Sequence, residues 1–201
     1  MCIRDRSQCR AYWQSKRDLP LLMRPLLVRL HRYAGLTIAG FLLVAGLTGS
    51  LLAWNEELEC LISPELFLIN APAGNPAPMD SLALRDAVAR QYPAAKIIYA
   101  PLKIENGRSL VFLLKSTRDA ELPNDQVFVD PYTGTILGER KWSDMRQGMK
   151  NFMPFVYRLH LSLALGSWGA YALGVAALLW TLDCFIGAYL TFPIRLSLIH
   201  I

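Results

Sequence analysis

The property that most constrains this chain is an uninterrupted apolar segment near its N-terminus. Residues 34–54, AGLTIAGFLLVAGLTGSLLAW, comprise 21 residues without a charged side chain. A helix needs about 20 apolar residues to cross the hydrocarbon core of a bilayer. A secretory signal is disfavoured because the run exceeds a usual signal core and no A-x-A-like cleavage site follows it. Residues 23–54 are therefore predicted to form a helix entrance and a first transmembrane helix.

A second uncharged run covers the 24 residues Leu159–Leu182, and apolar sequence continues after Asp183. The whole stretch is longer than one span requires. An acid inside the bilayer is costly and usually faces protein or water, so Asp183 is predicted to relay protons or to pair with a polar group on a helix outside this chain. The elements predicted within residues 151–195 are an interfacial helix over Phe152–Leu165, a break at residues 166–169 and a second span near Trp168–Phe192.

Charges around the first span predict its orientation. Three arginines and no acid precede it, whereas three glutamates follow it. Lys and Arg favour the cytoplasmic side of a membrane, so the N-terminus is predicted inside and the next segment outside. The residues concerned are Arg24, Arg29 and Arg32 before the span, and Glu56, Glu57 and Glu59 after it.

Residues 55–150 have the pattern of a small soluble domain. A Pro-rich connector leads to a helix over residues 81–92, which Asp80 or Ser81 would cap and Pro93 would stop. The side chains predicted to share one face of this helix are Leu82, Leu84, Val88 and Ala89.

Four predicted strands follow that helix as two hairpins. Asn106-Gly107 is typical of a tight hairpin turn, and the run Asp130–Gly134 combines Pro and Gly in a second turn. The predicted strands cover residues 96–104, 108–116, 126–129 and 135–139. The predicted fold class is therefore a membrane α-helical protein with two spans and an inserted small α+β domain covered by one helix.

Composition excludes several other classes of protein. The chain is 53% hydrophobic and 18% charged, against about 25% charged in soluble domains. The net charge of +5 comes from scattered arginines without an aromatic-basic stripe, so nucleic-acid binding is unsupported. No Walker A, Rossmann, HExxH or GxSxG pattern is present. Cys60 and Cys184 are distant in the predicted topology, so no disulfide is expected between them.

Both ends of the chain have an unusual origin in this interpretation. The chain opens MCIRDR and closes LSLIHI. These peptides are translations of the two orientations of one DNA string, which resembles the transposase end used in preparing sequencing libraries. Residues 1–6 and 196–201 are therefore expected to be translated adapter DNA, with residues 7–22 a non-native upstream segment and the chain an N-terminal fragment. On this interpretation His200 is not a candidate ligand.

The two remaining histidines occur in the same tripeptide, Arg-Leu-His, at Arg29–His31 and Arg158–His160. An imidazole at the edge of a transmembrane helix suits axial ligation of haem iron, and the adjacent Arg29 or Arg158 could pair with a propionate. The alternative is that these polar residues simply lie at the headgroup level, which is common at span ends and is favoured by the residues alone. Because the two spans are antiparallel, about 30 Å of hydrocarbon would separate the histidines, so they cannot ligate one iron.

Three segments together resemble the PepSY-associated transmembrane family. They are LVRLHRYAGLTIAGFLLVAGLTGSLLAWNEEL, VFVDPYTGTILGE, and YRLHLSLALGSWG with DCFIGAYLTFP. The resemblance covers residues 23–195. It implies a bacterial inner-membrane protein, often iron-regulated, with at least four spans and periplasmic PepSY domains between them.

Some members of the family are ferri-siderophore reductases that bind b-type haem through histidines on their spans. By this resemblance His31 and His160 match haem iron ligands, which reverses the preference stated above. The resemblance then implies electron transfer across the membrane to a ferric siderophore, with second iron ligands from C-terminal helices outside this fragment. The alternative is a non-enzymatic, membrane-anchored PepSY module that binds or regulates a periplasmic partner such as a peptidase.

Overall fold

The computed structural model describes residues 6–70, 72, 74, 76–117 and 122–192, with side chains described from Met23 onward. The predictions for residues 1–5 and 193–201 lie outside this part of the chain. The chain divides into two compact units: Met1–Gly46 with Ser167–Ile201, and Leu47–Gly166. Each unit is described separately below.

The first unit is built from two long apolar helices. Helix α1 covers Arg6–Leu52 and helix α6 covers Ser167–Thr191. Within them, Met23–Leu52 and Ser167–Thr191 are long and apolar enough to cross a membrane. The second of these matches the predicted span near Trp168–Phe192. Most large apolar side chains on both helices are exposed, as expected for surfaces that face lipid.

The helices of the second unit have local sequence causes. Helix α2 covers Asn55–Ile62 and helix α3 covers Pro64–Phe67, with Pro64 at the first position, where a missing N–H costs nothing. Helix α4 covers Ser81–Gln91, and the Asp80 carboxylate accepts hydrogen bonds from the backbone N–H groups of Leu82 and Ala83 at 3.0 and 3.1 Å. The predicted N-cap of α4 is therefore confirmed.

The sheet is an antiparallel meander in the order β1-β2-β3-β4. Its hairpin ladders pair β1 with β2, β2 with β3 and β3 with β4. Gly134 adopts φ +72° in the second turn, and its N–H donates to the Asp130 carbonyl at 2.9 Å. The predicted α+β sheet is confirmed. The strands are β1 Ala95–Tyr99, β2 Leu110–Ser116, β3 Gln126–Val129 and β4 Ile136–Arg140.

Apolar side chains cover both faces of this sheet. Alternate residues of β2 are buried against α4 on one face. On the other face Leu66 and Phe67 of α3 pack on Phe128, and the two phenyl rings meet edge to face at 5.0 Å. The α4-side cluster consists of Leu84, Val88, Leu110, Phe112, Leu114, Val127 and Val129.

Three details of the predicted domain were wrong. The first strand ends at Tyr99 rather than residue 104, because Pro101 has no N–H to continue the ladder. Leu82 and Ala89 are exposed, since the buried face of α4 is set by Ser81, Leu84 and Val88. The connector is not only a linker, because its segment Pro64–Phe67 is a helix that covers the second sheet face.

Two short 3₁₀ turns, Met145–Gln147 and Met149–Asn151, connect the sheet to helix α5, Phe152–Ser162. Helix α5 corresponds to the helix predicted over Phe152–Leu165, and it ends four residues before α6. Leu163, Ala164 and Gly166 all adopt positive φ between the two helices. The break therefore lies at residues 163–166, earlier than the predicted 166–169, because residues 167–169 already belong to α6.

Candidate functional site

In the first unit, His31 of α1 is held by a carboxylate on α6. Its Nδ1 lies 2.9 Å from Oδ1 of Asp183. Asp183 is 6% exposed, whereas the His31 side chain is 44% exposed. The sequence left two roles open for Asp183, proton relay or pairing with a polar group on a helix outside this chain. The second was wrong about the partner, because the two antiparallel spans bring Asp183 to His31. An ionised carboxylate accepts the Nδ1 proton and so leaves the lone pair on Nε2.

Glycine backbone lies against the His31–Asp183 pair. A Cβ added to Gly187 would lie 3.0 Å from Cε1 of His31, and one added to Gly35 would lie 3.7 Å from Oδ2 of Asp183. Gly187 is one helical turn beyond Asp183 on α6. The absence of a side chain at Gly187 therefore allows the imidazole to lie directly against this helix.

In the second unit, His160 of α5 is held by a hydroxyl near the end of α1. Its Nδ1 lies 2.9 Å from Oγ1 of Thr48, which is 6% exposed. The hydroxyl can either accept a proton from Nδ1 or donate one to it. A Cβ added to the adjacent Gly49 would lie 3.3 Å from Cε1 of His160. His160 thus repeats the arrangement at His31, with Nδ1 bonded to a second helix and a glycine against Cε1.

Both imidazoles present the same nitrogen for chemistry. Among the described residues, hydrogen bonds engage Nδ1 of His31 and His160, and none engages Nε2. No group of three or more His, Cys, Asp or Glu side chains is placed to hold a metal ion in that part of the chain. Each imidazole can therefore bind a ligand through Nε2 when its proton lies on Nδ1.

The two arginines of the repeated tripeptide are both exposed. Arg158 Nη2 donates to the carbonyl of Ala164 at 3.3 Å, beyond the C-terminal end of α5. Arg24, which the sequence analysis used only for the orientation of the first span, donates from Nη2 to the carbonyl of Leu190 on α6 at 3.0 Å. Arg29 lies within α1, whereas Arg158 lies in the last turns of α5.

A cleft of about 640 Å³ opens in the second unit between the sheet and helices α2 and α5. Exposed aromatic side chains line its mouth, and the buried Arg140 lies at its base. Leu52 and Tyr157 also line it. They are one helical turn from Thr48 and His160, respectively, on the same helices. The aromatic residues at the mouth are Tyr99, Trp142 and Tyr157.

The guanidinium of Arg140 makes hydrogen bonds that hold the domain together. It is 4% exposed, its Nη2 donates to Glu59 Oε1 at 2.8 Å and its Nη1 donates to the Lys150 carbonyl at 2.7 Å. Its guanidinium also lies 5.4 and 5.2 Å from the ring centroids of Phe67 and Phe128. These contacts tie helix α2 to the end of β4, so Arg140 is a structural cation at the base of the cleft.

A second polar pair stiffens the edge of the same sheet. Tyr92 Oη donates a hydrogen bond to the carboxylate of Glu139, which also accepts from Asn124 Nδ2 at 2.9 Å. Burial of the phenol, with the hydrogen bond and the negative charge of Glu139, raises the pKa of Tyr92 above its ordinary value. Tyr92 therefore stays protonated well into the alkaline range.

The sequence missed two residues of the histidine sites, Thr48 and Gly187. Small residues are common in membrane helices, so their identity signals close helix packing without naming a partner. Cys60 and Cys184 are free thiols, as predicted, and Cys60 packs against the cluster of Leu66, Phe67 and Phe128.

Comparison with protein families gives a match over most of the chain. The family model described as "PepSY-associated TM region" matches residues 28–199. The matched range contains α6, most of the apolar span of α1, both histidines and the complete sheet. Comparison with curated proteins gives no match.

Proposed function

The chain belongs to the PepSY-associated transmembrane family, and from this premise we propose that it binds b-type haem and passes electrons across a membrane to reduce ferric siderophores. The observation that carries the proposal is the shared arrangement of His31 and His160. Each imidazole is fixed through Nδ1 by a side chain from a second helix, at 2.9 Å in both cases. A histidine that only lies among lipid headgroups needs no such orientation.

The described residues fit a haem at each histidine. A metal-ligating His usually donates its other ring N–H to a carboxylate, a carbonyl or another oxygen, which fixes the ring and its tautomer. Gly187 and Gly49 let each imidazole pack directly against the backbone of a second helix, which holds the ring in place. Haem bound at these positions would supply one-electron chemistry at iron. His31 and His160 would each provide one axial ligand, and the second ligands are expected from further helices of the full protein.

Arg29 and Arg158 are proposed to pair with haem propionates. Each is exposed and lies two residues before its histidine. A guanidinium binds a carboxylate through two parallel hydrogen bonds, so it can hold a propionate at the membrane surface. Arg158 would have to release the Ala164 carbonyl to do so.

The protein is a membrane protein with two apolar helices, and we place it in the bacterial inner membrane with its N-terminus in the cytoplasm. Arg24, Arg29 and Arg32 before the first span support this orientation. The sheet domain then lies in the periplasm. In this orientation His31 lies near the cytoplasmic face and His160 near the periplasmic face.

We assign the ferric siderophore to the cleft of the second unit. The cleft has a volume of about 640 Å³, within the range of sites for small ligands. Leu52 and Tyr157 carry its wall to within one helical turn of Thr48 and His160. Aromatic side chains at the mouth offer apolar contact area to a bulky chelate.

The proposal is tested on protein expressed from the complete reading frame that contains these residues. Purified wild-type protein is expected to show a reduced b-type haem spectrum and to reduce a ferric hydroxamate when supplied with electrons. His31→Ala and His160→Ala should each lose haem. Thr37→Ala is the matched control, because Thr37 lies on α1 and bonds only the Tyr33 carbonyl of its own helix. Wild-type membranes without haem would refute the proposal.

A partner-binding role is the second candidate function. The same cleft favours this role. Its aromatic side chains Tyr99 and Trp142 are 55% and 38% exposed, so a protein partner could contact them. Under this role the wild-type protein carries no haem and both histidines tolerate substitution. Trp142→Ala should then weaken binding of a periplasmic protein partner such as a peptidase, measured with the purified pair.

A further inference from the structure

The two histidine sites differ in the group that faces Nδ1. At His31 the group is the carboxylate of Asp183, and at His160 it is the hydroxyl of Thr48. Both distances are 2.9 Å, so the two sites differ in chemistry and not in reach. Asp183 and Thr48 are each 6% exposed, whereas the His31 side chain is 44% exposed.

A carboxylate and a hydroxyl act differently on the imidazole between them and a metal. A carboxylate attracts the Nδ1 proton, makes the ring a stronger electron donor at Nε2 and so favours the more positive oxidation state of bound iron. Its negative charge favours that state further, because charges interact strongly where water is excluded. A threonine hydroxyl carries no charge and can also donate to Nδ1, which would place the proton on Nε2.

We propose that Asp183 is a positioning residue that gives iron bound at His31 a lower midpoint potential than iron bound at His160. Asp183 acts through His31, by fixing the Nδ1–H tautomer and increasing electron donation from Nε2. This inference rests on the proposed function, since it concerns haem at both histidines. In the proposed orientation, the lower potential lies on the cytoplasmic side and the higher potential on the periplasmic side. This order makes the electron-transfer step from the cytoplasmic to the periplasmic iron favourable.

The sequence context supports a role beyond helix packing. An acid in the middle of a lipid-facing helix is costly, and a neutral residue of similar size would satisfy packing at lower cost. Gly35 and Gly187 bring the two helices close enough for the carboxylate to reach His31. The Asp183 carboxylate thus makes its described hydrogen bond with the imidazole of His31.

The test is a spectroelectrochemical titration of protein purified from the complete reading frame. Wild-type protein should show two haem components with different midpoint potentials. Asp183→Asn keeps a hydrogen-bond acceptor of the same size but removes the charge, so it should raise the lower midpoint and leave the higher one unchanged. Thr48→Val, the matched control at the other site, should leave the lower midpoint unchanged. Asp183→Glu should restore most of the wild-type value.

A reciprocal variant covers the case in which Asp183→Asn does not retain haem. Thr48→Asp places a carboxylate opposite His160 and should lower the higher midpoint toward the other one. If Asp183→Asn retains haem and its midpoint potentials are unchanged, the inference is overturned while haem binding stands. If only Thr48→Asp retains haem, unchanged midpoint potentials in that variant overturn it in the same way. Wild-type protein without haem would instead remove the proposed function, and this inference with it.

Discussion

His31 Nδ1 lies 2.9 Å from Oδ1 of Asp183, although 152 residues separate them in the chain. This contact pairs an aromatic base at the start of one apolar helix with an acid inside the other. Each residue is unfavourable in a membrane when it is alone. Together they form one hydrogen bond, which offsets part of the cost of placing both polar groups in a membrane. The Nε2 nitrogen of the imidazole is then available to a ligand.

The absence of a side chain at Gly187, beside the His31 imidazole, is predicted to be needed for haem binding at His31. Gly187→Ala would put a Cβ 3.0 Å from Cε1 of the imidazole, closer than carbon atoms pack without displacement. We expect this variant to shift the ring and to lose haem from the His31 site, measured as the haem content of purified protein. Gly174→Ala is the control on the same helix, because a Cβ there meets no atom within 4 Å. Equal haem content in both variants would contradict this role for Gly187.

The ion pair of Arg140 and Glu59 is predicted to stabilise the sheet domain. Their side chains are 4% and 13% exposed, and Glu59→Gln would leave a buried guanidinium without its counter-charge. Breaking a buried pair costs about 3 kcal/mol of unfolding free energy, measured by denaturant titration in detergent. Asp86→Asn breaks the exposed pair with Arg85, whose side chains are 47% and 55% exposed. It should change stability by no more than about 0.5 kcal/mol. A similar loss of unfolding free energy in the two variants would show that the burial of the Arg140–Glu59 pair does not increase its contribution to stability.

Tyr92 is predicted to titrate above the other tyrosines. Burial and the Glu139 carboxylate both disfavour the phenolate, so the pKa of Tyr92 is raised in the folded state. The unfolded chain releases this proton at about pH 10, while the folded chain retains it. The unfolding free energy should therefore fall as the pH rises above about 10. Ultraviolet titration of tyrosine absorbance should show a late component that Tyr92→Phe removes and that Glu139→Gln moves to lower pH.

Tyr99→Phe serves as the control in that titration. Tyr99 is 55% exposed, and its replacement should leave the late component in place. A late component that survives Tyr92→Phe would assign it to another residue.

The sequence predicted elements where one local cause dominates. Asp80 before an amphipathic segment predicted the start of α4, and Asn106-Gly107 and Pro131 with Gly134 predicted turns, because these residue types have few alternatives. The predicted strand over residues 96–104 was too long. Its apolar pattern continues to Ile104, but Pro101 has no N–H to donate and the strand ends at Tyr99.

The histidine sites could be predicted only in part. His31 and His160 could be singled out because their tripeptides repeat, and Asp183 because an acid in a span is rare. Their partners could not be predicted, since a contact between residues 31 and 183, or 48 and 160, depends on how helices meet. Thr48 and Gly187 are ordinary residues in membrane helices, and only the folded chain shows which imidazole each one touches.

The most direct test of the account is the ratio of haem to protein in purified samples from the complete reading frame. The account predicts that His31→Ala and His160→Ala each remove one haem component, and that the double variant removes both. The accompanying spectra should assign different components to the two histidines. Haem content that is unchanged in the double variant would show that neither histidine holds iron and would contradict the central claim.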